Sequence, residues 1–166
     1  MEFRKMRRGR QELSLEETEE ILNRQTAGVL ALSGDGGYPY AVPISYIYAD
    51  GKLYFHCAKS GHKLDAIRRD PKASFCVIDQ DQIVPEKFTT LYRSVIVFGQ
   101  VQRIEDEKQK RSAIEKLGRK YGKGMPEERL TAEIDGTWKA LEMLEMEIDH
   151  ITGKQSIELV PPVIKK

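Results

Sequence analysis

Cysteine is scarce: Cys57 and Cys76 are the only two among 166 residues, and no CxxC spacing joins them. That excludes a disulfide-stapled framework or a thiolate metal cage as the organising principle. Both thiols fall in strand-like runs and read as reduced side chains of a cytoplasmic protein. Long apolar runs are missing too. Nothing approaches the roughly 18–20 apolar residues of a membrane span, and no apolar core follows Met1-Glu2-Phe3-Arg4-Lys5 as a secretory signal requires. The expectation is therefore no membrane and no export. Net charge is almost absent, since 27 Lys and Arg face 26 Asp and Glu to leave +1. The surface as a whole has no reason to attract a polyanion. One exception is the basic run Arg4-Lys5-Met6-Arg7-Arg8-Gly9-Arg10. No interleaved aromatics or recognition helix follow it, so a nucleic-acid partner is not expected. The run reads as a solvated arm or one packed across a second subunit.

What is present is strand pattern, framed by helices. Ser14-Leu15-Glu16-Glu17 is a capping box and opens a helix to about Gln25. Ala27–Ser33 and Pro39–Ala49 flank Gly34-Asp35-Gly36-Gly37, a hairpin turn, and Asp50-Gly51 turns again into Lys52–Cys57. A short helix over Leu64–Arg69 stops at Asp70-Pro71. Ala73–Asp79 and Tyr92–Ile104 are rich in β-branched and aromatic residues and read as strands. Ala113, Leu117 and Tyr121, then Leu130, Ile134 and Trp138, repeat every four residues and predict two helices. A last strand covers Leu141–Ile151, where the apolar alternation slips between Met143 and Leu144 and predicts a β-bulge. Six strands joined mostly by hairpins, with helices outside, predict a mostly β fold, a small antiparallel barrel. The organisation expected is a basic arm over 1–12, one domain over 13–158 and a tail over 159–166, with Pro161-Pro162-Val163-Ile164-Lys165-Lys166 as a loose extension.

Two segments carry chemistry. On the strand from Tyr40 to Tyr48, Tyr40, Val42, Ile44, Tyr46 and Tyr48 form a bulky face. Ala41, Pro43, Ser45 and Ile47 form a mostly small one, which lets a planar ligand approach the backbone. Pro43 cannot donate to a ladder, so it implies an edge strand or an opened ladder with free polar groups nearby. Taken alone, this feature is better explained by an ordinary edge strand. The second segment, Lys59-Ser60-Gly61-His62-Lys63, sets cations and a hydroxyl at the start of a helix, where unsatisfied N–H groups suit a phosphomonoester. Ordinary solvated lysines are the alternative there.

The run GYPYAVPISYIYADGKLYFHCAKSGHKLDAIRRDPKASFCV, followed by VPEKFTTLYRSVIVFGQV, resembles the pyridoxamine-phosphate-oxidase-like flavoproteins. It is most similar to their nitroimidazole-resistance branch, over about residues 5–155. The resemblance implies a six-stranded antiparallel split β-barrel and a homodimer with FMN, or FAD in its place, in clefts at the subunit interface. It implies that Pro43, Ile44, Ser45 and Tyr46 lie along the flavin ring and that Lys59, Ser60, His62 and Lys63 hold its phosphate. Thr89, Thr90, Tyr92 and Arg93 would lie near the cofactor, from either subunit. His56 would face the ring and the substrate and is the candidate catalytic residue. Asp149-His150-Ile151-Thr152-Gly153-Lys154 is similar to the family's closing strand. The Trp- and Arg-containing end that holds pyridoxal in true oxidases is absent, which argues against vitamin B6 oxidation.

The expected function is reduction of a small electron-poor aromatic ring, such as a nitroimidazole, through bound flavin. A flavin-binding or redox-sensing module without turnover is the competing class, and a pyridoxamine-phosphate-oxidase-like enzyme with an altered substrate is the alternative within the same fold. A metal site among His56, Cys57, His62, Cys76 and His150 lacks zinc-ligand spacing and is not expected. Cys57 and His56 cannot form a nucleophile pair, because adjacent strand residues point to opposite faces.

Overall fold

In the computed structural model, which describes residues 2–162, the chain forms one seven-stranded sheet with helices packed outside it. The elements are α1 (Leu15–Arg24), β1 (Ala27–Ser33), β2 (Pro39–Ser45), β3 (Ile47–Ala49), β4 (Lys52–Ala58) and α2 (His62–Arg69). After these come β5 (Lys72–Val84), β6 (Thr89–Arg103), α3 (Glu107–Tyr121), α4 (Glu127–Thr137) and β7 (Leu141–Gln155). The end of the tail, 163–166, lies outside the described residues. No described helix is long and apolar enough to cross a membrane.

The sheet order is β2-β1-β5-β6-β7-β4-β3, and every pairing is antiparallel. β2 and β3 are the two ends of that order yet adjoin in the chain, so the single residue Tyr46 carries the backbone from one end to the other and closes the barrel. β2 and β4 touch without sharing a ladder, which leaves a seam. This is why seven strands stand where six were expected: Pro39–Ala49 is cut at Tyr46. Its N–H leaves the ladder for the Thr26 carbonyl at 3.2 Å. Its ring is fully buried, and its hydroxyl donates to the Leu22 carbonyl at 2.9 Å.

Alternating apolar residues fill the barrel. Leu30, Leu53, Phe55, Phe75, Val77, Val95 and Val97 are inaccessible to solvent. Phe75 takes Tyr46 and Phe55 edge-on, with ring centroids 4.9 and 5.2 Å away. Losing such a ring costs about 3–5 kcal/mol. The capping box holds as expected, Ser14 accepting from the Glu17 N–H and Glu17 from the Ser14 N–H.

Three boundaries differ from expectation. β5 and β6 run on to Val84 and back from Thr89, an arm offset by a register shift between Ile78 and Gln80. β7 continues to Gln155. The expected bulge at Met143 and Leu144 is absent: β4 pairs without a break, His56 with Met143 and Phe55 with Leu144. The irregularity lies instead where Phe98 pairs with His150 and Gly99 with Ile148, leaving Asp149 over. Apolar residues adjoin at 143 and 144 because both faces of β7 are covered there. Leu144 and Met146 fill the barrel, while Leu141 and Met143 pack against α3 and α4.

Candidate functional site

β4 delivers the first part of the site. Leu53, Phe55 and Cys57 point into the barrel, so Tyr54 and His56 must point out. His56 faces a cavity of about 450 Å³ between the strands and the α3–α4 pair, walled by Ile114, Leu130, Ile134, Ala140 and Leu141. Burial, and then the charge of nearby Lys63, push its pKa below the usual 6.5. At neutral pH the imidazole is therefore uncharged, able to donate from one nitrogen and accept at the other.

The loop after β4 supplies cations. Gly61 caps α2 with φ of 137° and no side-chain cap bond, a backbone shape that an L side chain rarely adopts. The His62 and Lys63 amides that open α2 have no acceptor among the described residues, whereas the Leu64 and Asp65 amides donate to the Gly61 carbonyl at 2.9 and 3.2 Å. A Cβ at Gly61 would meet nothing within 4 Å, so the space before them is open. Lys59 and Lys63 have no ion-pair partner among the described residues and stand together at the mouth of this loop. Lys59, Ser60 and Gly61 are exposed and Lys63 is half-buried. These unpartnered amides and ammonium groups fit a phosphate.

His62 turns the other way. It stacks on Tyr40, ring centroids 4.0 Å apart, and sets Nε2 3.5 Å from an Asp35 carboxylate oxygen. Arg69 reaches the other Asp35 oxygen at 2.7 Å. Asp35 was legible only as a turn residue. Nothing in the spacing tells that the β1–β2 turn folds onto α2.

β2 is an edge strand, as Pro43 implied, and pairs only with β1, Pro43 opposite Val29. Tyr40, Val42 and Ile44 pack on the core, while Ala41 and Pro43 are exposed on the small face and Ser45 is half-buried. Tyr46 serves the core through its side chain, and burial raises its pKa far above 10. Its N–H also donates to the Tyr121 hydroxyl at 3.1 Å, a link that fastens the end of α3 to the seam.

Thr89, Thr90, Tyr92 and Arg93 belong to the β5–β6 arm, and two strands separate β6 from β2 in the sheet. Thr89 donates to Glu158 at 3.0 Å, and Thr90 pairs with Ile83. The Tyr92 hydroxyl accepts from Gln11 at 3.4 Å, with the Lys154 ammonium 5.7 Å from its ring. Arg93 Nε is buried without a partner, and its charge reaches Glu17 and Asp79. Within one chain, the site residues thus fall into two groups, one around β2, β4 and α2 and one on the arm.

Between the groups, the outer face of the sheet is apolar. Ile78, Ile96 and Phe98 are 63, 40 and 38% exposed, and Ile83 and Phe88 near the arm's tip are 73 and 99% exposed. From the N-terminal arm, Phe3 lies on this face, stacked 4.6 Å from His150 of the closing strand.

Solved structures repeat this architecture. A candidate 5-nitroimidazole antibiotic resistance protein of Bacteroides thetaiotaomicron superposes with a TM-score of 0.71 at 22% identity, over 87% of this chain and 86% of that one. A conserved hypothetical protein of Mycobacterium tuberculosis reaches 0.80 at 19% identity, over 98% of this chain and 97% of its own. An FAD-binding protein of Mesorhizobium loti gives 0.60 at 24% identity, over 87% and 96%. No curated protein sequence matches the chain. Its residues 14–155 match the family model described as pyridoxamine 5'-phosphate oxidase, and the chain belongs to that family.

Proposed function

We propose that the protein binds FMN and passes electrons from the reduced flavin to a small, flat, electron-poor ring such as a nitroaromatic. The observation that carries this reading is the pair Lys59 and Lys63, unpartnered beside the uncapped start of α2 and next to the open seam of β2. Lys59, Ser60 and Lys63 would hold the phosphate through charge-assisted bonds, and the α2 amides would add their share. His62, held by Tyr40 and Asp35, would border that phosphate. Ala41 and Pro43 leave room for a ring against β2, with Ile44, Ser45 and Tyr46 supplying the backbone behind it.

Bound flavin, reduced by a hydride donor such as a reduced nicotinamide, would supply two electrons; with two protons these convert a nitro group into a nitroso group and water. The protein's part is position and shielding. His56, uncharged and facing the cavity, would hold the acceptor by a hydrogen bond or give it a proton. The superposition on a candidate nitroimidazole resistance protein supports this acceptor class. The Mesorhizobium loti protein supports FAD as a second occupant, sharing the same FMN half.

A homodimer follows from the same reading. The exposed Ile78, Ile96 and Phe98 make an apolar face suited to a second copy of the chain. Pairing across it would bring a partner's β5–β6 arm, with Thr89, Thr90, Tyr92 and Arg93, toward the cofactor. The test is anaerobic mixing of the reduced, flavin-loaded protein with a nitroaromatic. Oxidation of bound flavin in proportion to nitro compound consumed supports the reading. Flavin that stays reduced with every nitro acceptor contradicts it and favours a module without turnover.

A further inference from the structure

We infer that the cavity between β4, β7 and the α3–α4 pair is the acceptor site, and that Glu133 makes it select flat rings carrying a positively charged substituent. The inference rests on the flavin reading for the word acceptor, but its selectivity stands on the cavity alone. At about 450 Å³ the space falls in the range of small-molecule pockets and holds a single substituted ring. Its walls, Ile114, Leu130, Ile134, Ala140 and Leu141, offer only apolar contact. Three polar side chains with strong hydrogen-bonding groups line it: His56, Glu133 and Thr137. Thr137 spends its hydroxyl proton on the Glu133 carbonyl at 2.9 Å. His56 and the Glu133 carboxylate are left, and neither has a hydrogen-bond or ion-pair partner among the described residues.

The Glu133 and Glu128 carboxylates have no ion-pair or hydrogen-bond partner among the described residues, unlike the other carboxylates of α3 and α4, and of the two only Glu133 lines the cavity. On the same two helices Glu127 meets Arg119, Glu115 and Asp135 meet Arg111, and Glu107 accepts from Trp138. Glu133 borders the cavity and meets no cation. The nearest positive influence on His56 is Lys63, which belongs to the proposed phosphate loop. Once a phosphate engages Lys63, the cavity has a neutral imidazole at its strand side and, on α4, a carboxylate with no ion pair among the described residues, Arg119, Lys123 and Arg129 lining the separate groove beside that helix. A ring oriented with its electron-withdrawing group at His56 and a protonated amine toward Glu133 matches both ends. An anionic substituent would meet like charge.

Three probes share one ring: 2-methyl-5-nitroimidazole bearing an aminoethyl, a hydroxyethyl or a carboxymethyl group on the ring nitrogen. Their binding is followed on protein with labelled Ile and Leu methyl groups, with and without FMN, by methyl NMR. The expected result is movement of the Ile114, Leu130, Ile134 and Leu141 methyls, with the amine bound about tenfold more tightly than the carboxylate, as two exposed charge steps allow. Glu133→Gln should shrink that ratio to about twofold, and Glu133→Lys should reverse it. Equal affinities in the unaltered protein, a preference that survives Glu133→Gln, or unmoved methyls would overturn the inference. If FMN fails to bind while the methyl shifts and the charge order remain, the flavin reading falls and the selectivity of the cavity stands.

Discussion

His62 stacks on Tyr40 at 4.0 Å and faces the Asp35 carboxylate at 3.5 Å, so the loop proposed to hold phosphate is bound to the β1–β2 turn through an acidic side chain. Asp35 sets a negative charge beside the proposed phosphate site. Asp35→Asn should tighten FMN binding about two- to fivefold, a modest change because the side chain is mostly exposed and screened. Titration by flavin fluorescence should show the gain shrinking with added salt and absent with riboflavin, which lacks the phosphate. Weaker FMN binding by the variant would mean that Asp35 orders the loop instead.

The lysines should act in the opposite sense. Lys59→Ala combined with Lys63→Ala should weaken FMN about 10- to 100-fold, since each charge-assisted bond contributes about 1.5–3 kcal/mol before the discount for exposure. Riboflavin affinity should change little. Unchanged FMN affinity would remove the phosphate from this loop.

His56 has a pKa below its usual 6.5, through burial and then Lys63. The folded chain therefore takes up this proton less readily than the unfolded chain. Stability rises with pH through the interval below 6.5, and acid works against the fold there. Thermal unfolding of His56→Gln should depend less on pH between the lowered value and 6.5 than the unaltered protein. NMR titration adds a second readout: a phosphate-bearing ligand that neutralises Lys63 should move the His56 pKa upward. No movement on FMN addition would place the phosphate elsewhere.

The proposed dimer and the proposed cofactor site should fail together. Ile96→Asp with Phe98→Asp alters two outward side chains and leaves the barrel interior intact. Sedimentation should show a monomer, and FMN affinity should fall with it, because a ligand held between subunits stabilises their association. A monomer that binds FMN normally would show that one chain holds the whole site.

The ion pair under α3 gives a check on the fold itself. Lys110 and Glu142 are both nearly inaccessible and meet at 3.1 Å, with Arg103 on the second carboxylate oxygen. Removing one partner leaves a buried charge, so Lys110→Met should lower stability by about 3 kcal/mol in denaturant unfolding. A loss below about 1 kcal/mol would mean that Arg103 alone satisfies Glu142.

The fold was legible wherever one face of an element is buried and the other wet. β2 showed its bulky and small faces in plain alternation, and Pro43 marked it as an edge. β4 showed which way His56 points. Reading failed where the environment breaks that rule. The β5–β6 arm stands outside the barrel with no fully buried face, so the polar run Gln80-Asp81-Gln82 shows no apolar alternation and the expected strand stopped at Asp79. Near Met143 both faces of β7 are covered, which imitated a bulge, and the irregularity at Asp149 left no apolar trace. The break at Tyr46 depends on the Thr26 carbonyl and the Tyr121 hydroxyl, which only the folded chain brings near.

The site was partly legible for the same reason. A loop of Lys59, Ser60 and Lys63 before a helix is local chemistry and can be read along the chain. Asp35 and Glu133 matter through neighbours far away in sequence: Asp35 through α2, and Glu133 through a cavity whose floor is β4. Their residue types alone said only turn and helix surface.

The central claim is that this barrel holds a flavin, and the most direct measurement is an absorbance spectrum of the purified protein, repeated after incubation with FMN and gel filtration. Flavin bands should be retained at close to one per chain, with most of that retention lost when Lys59 and Lys63 are replaced. Folded protein that emerges colourless after reconstitution would contradict it.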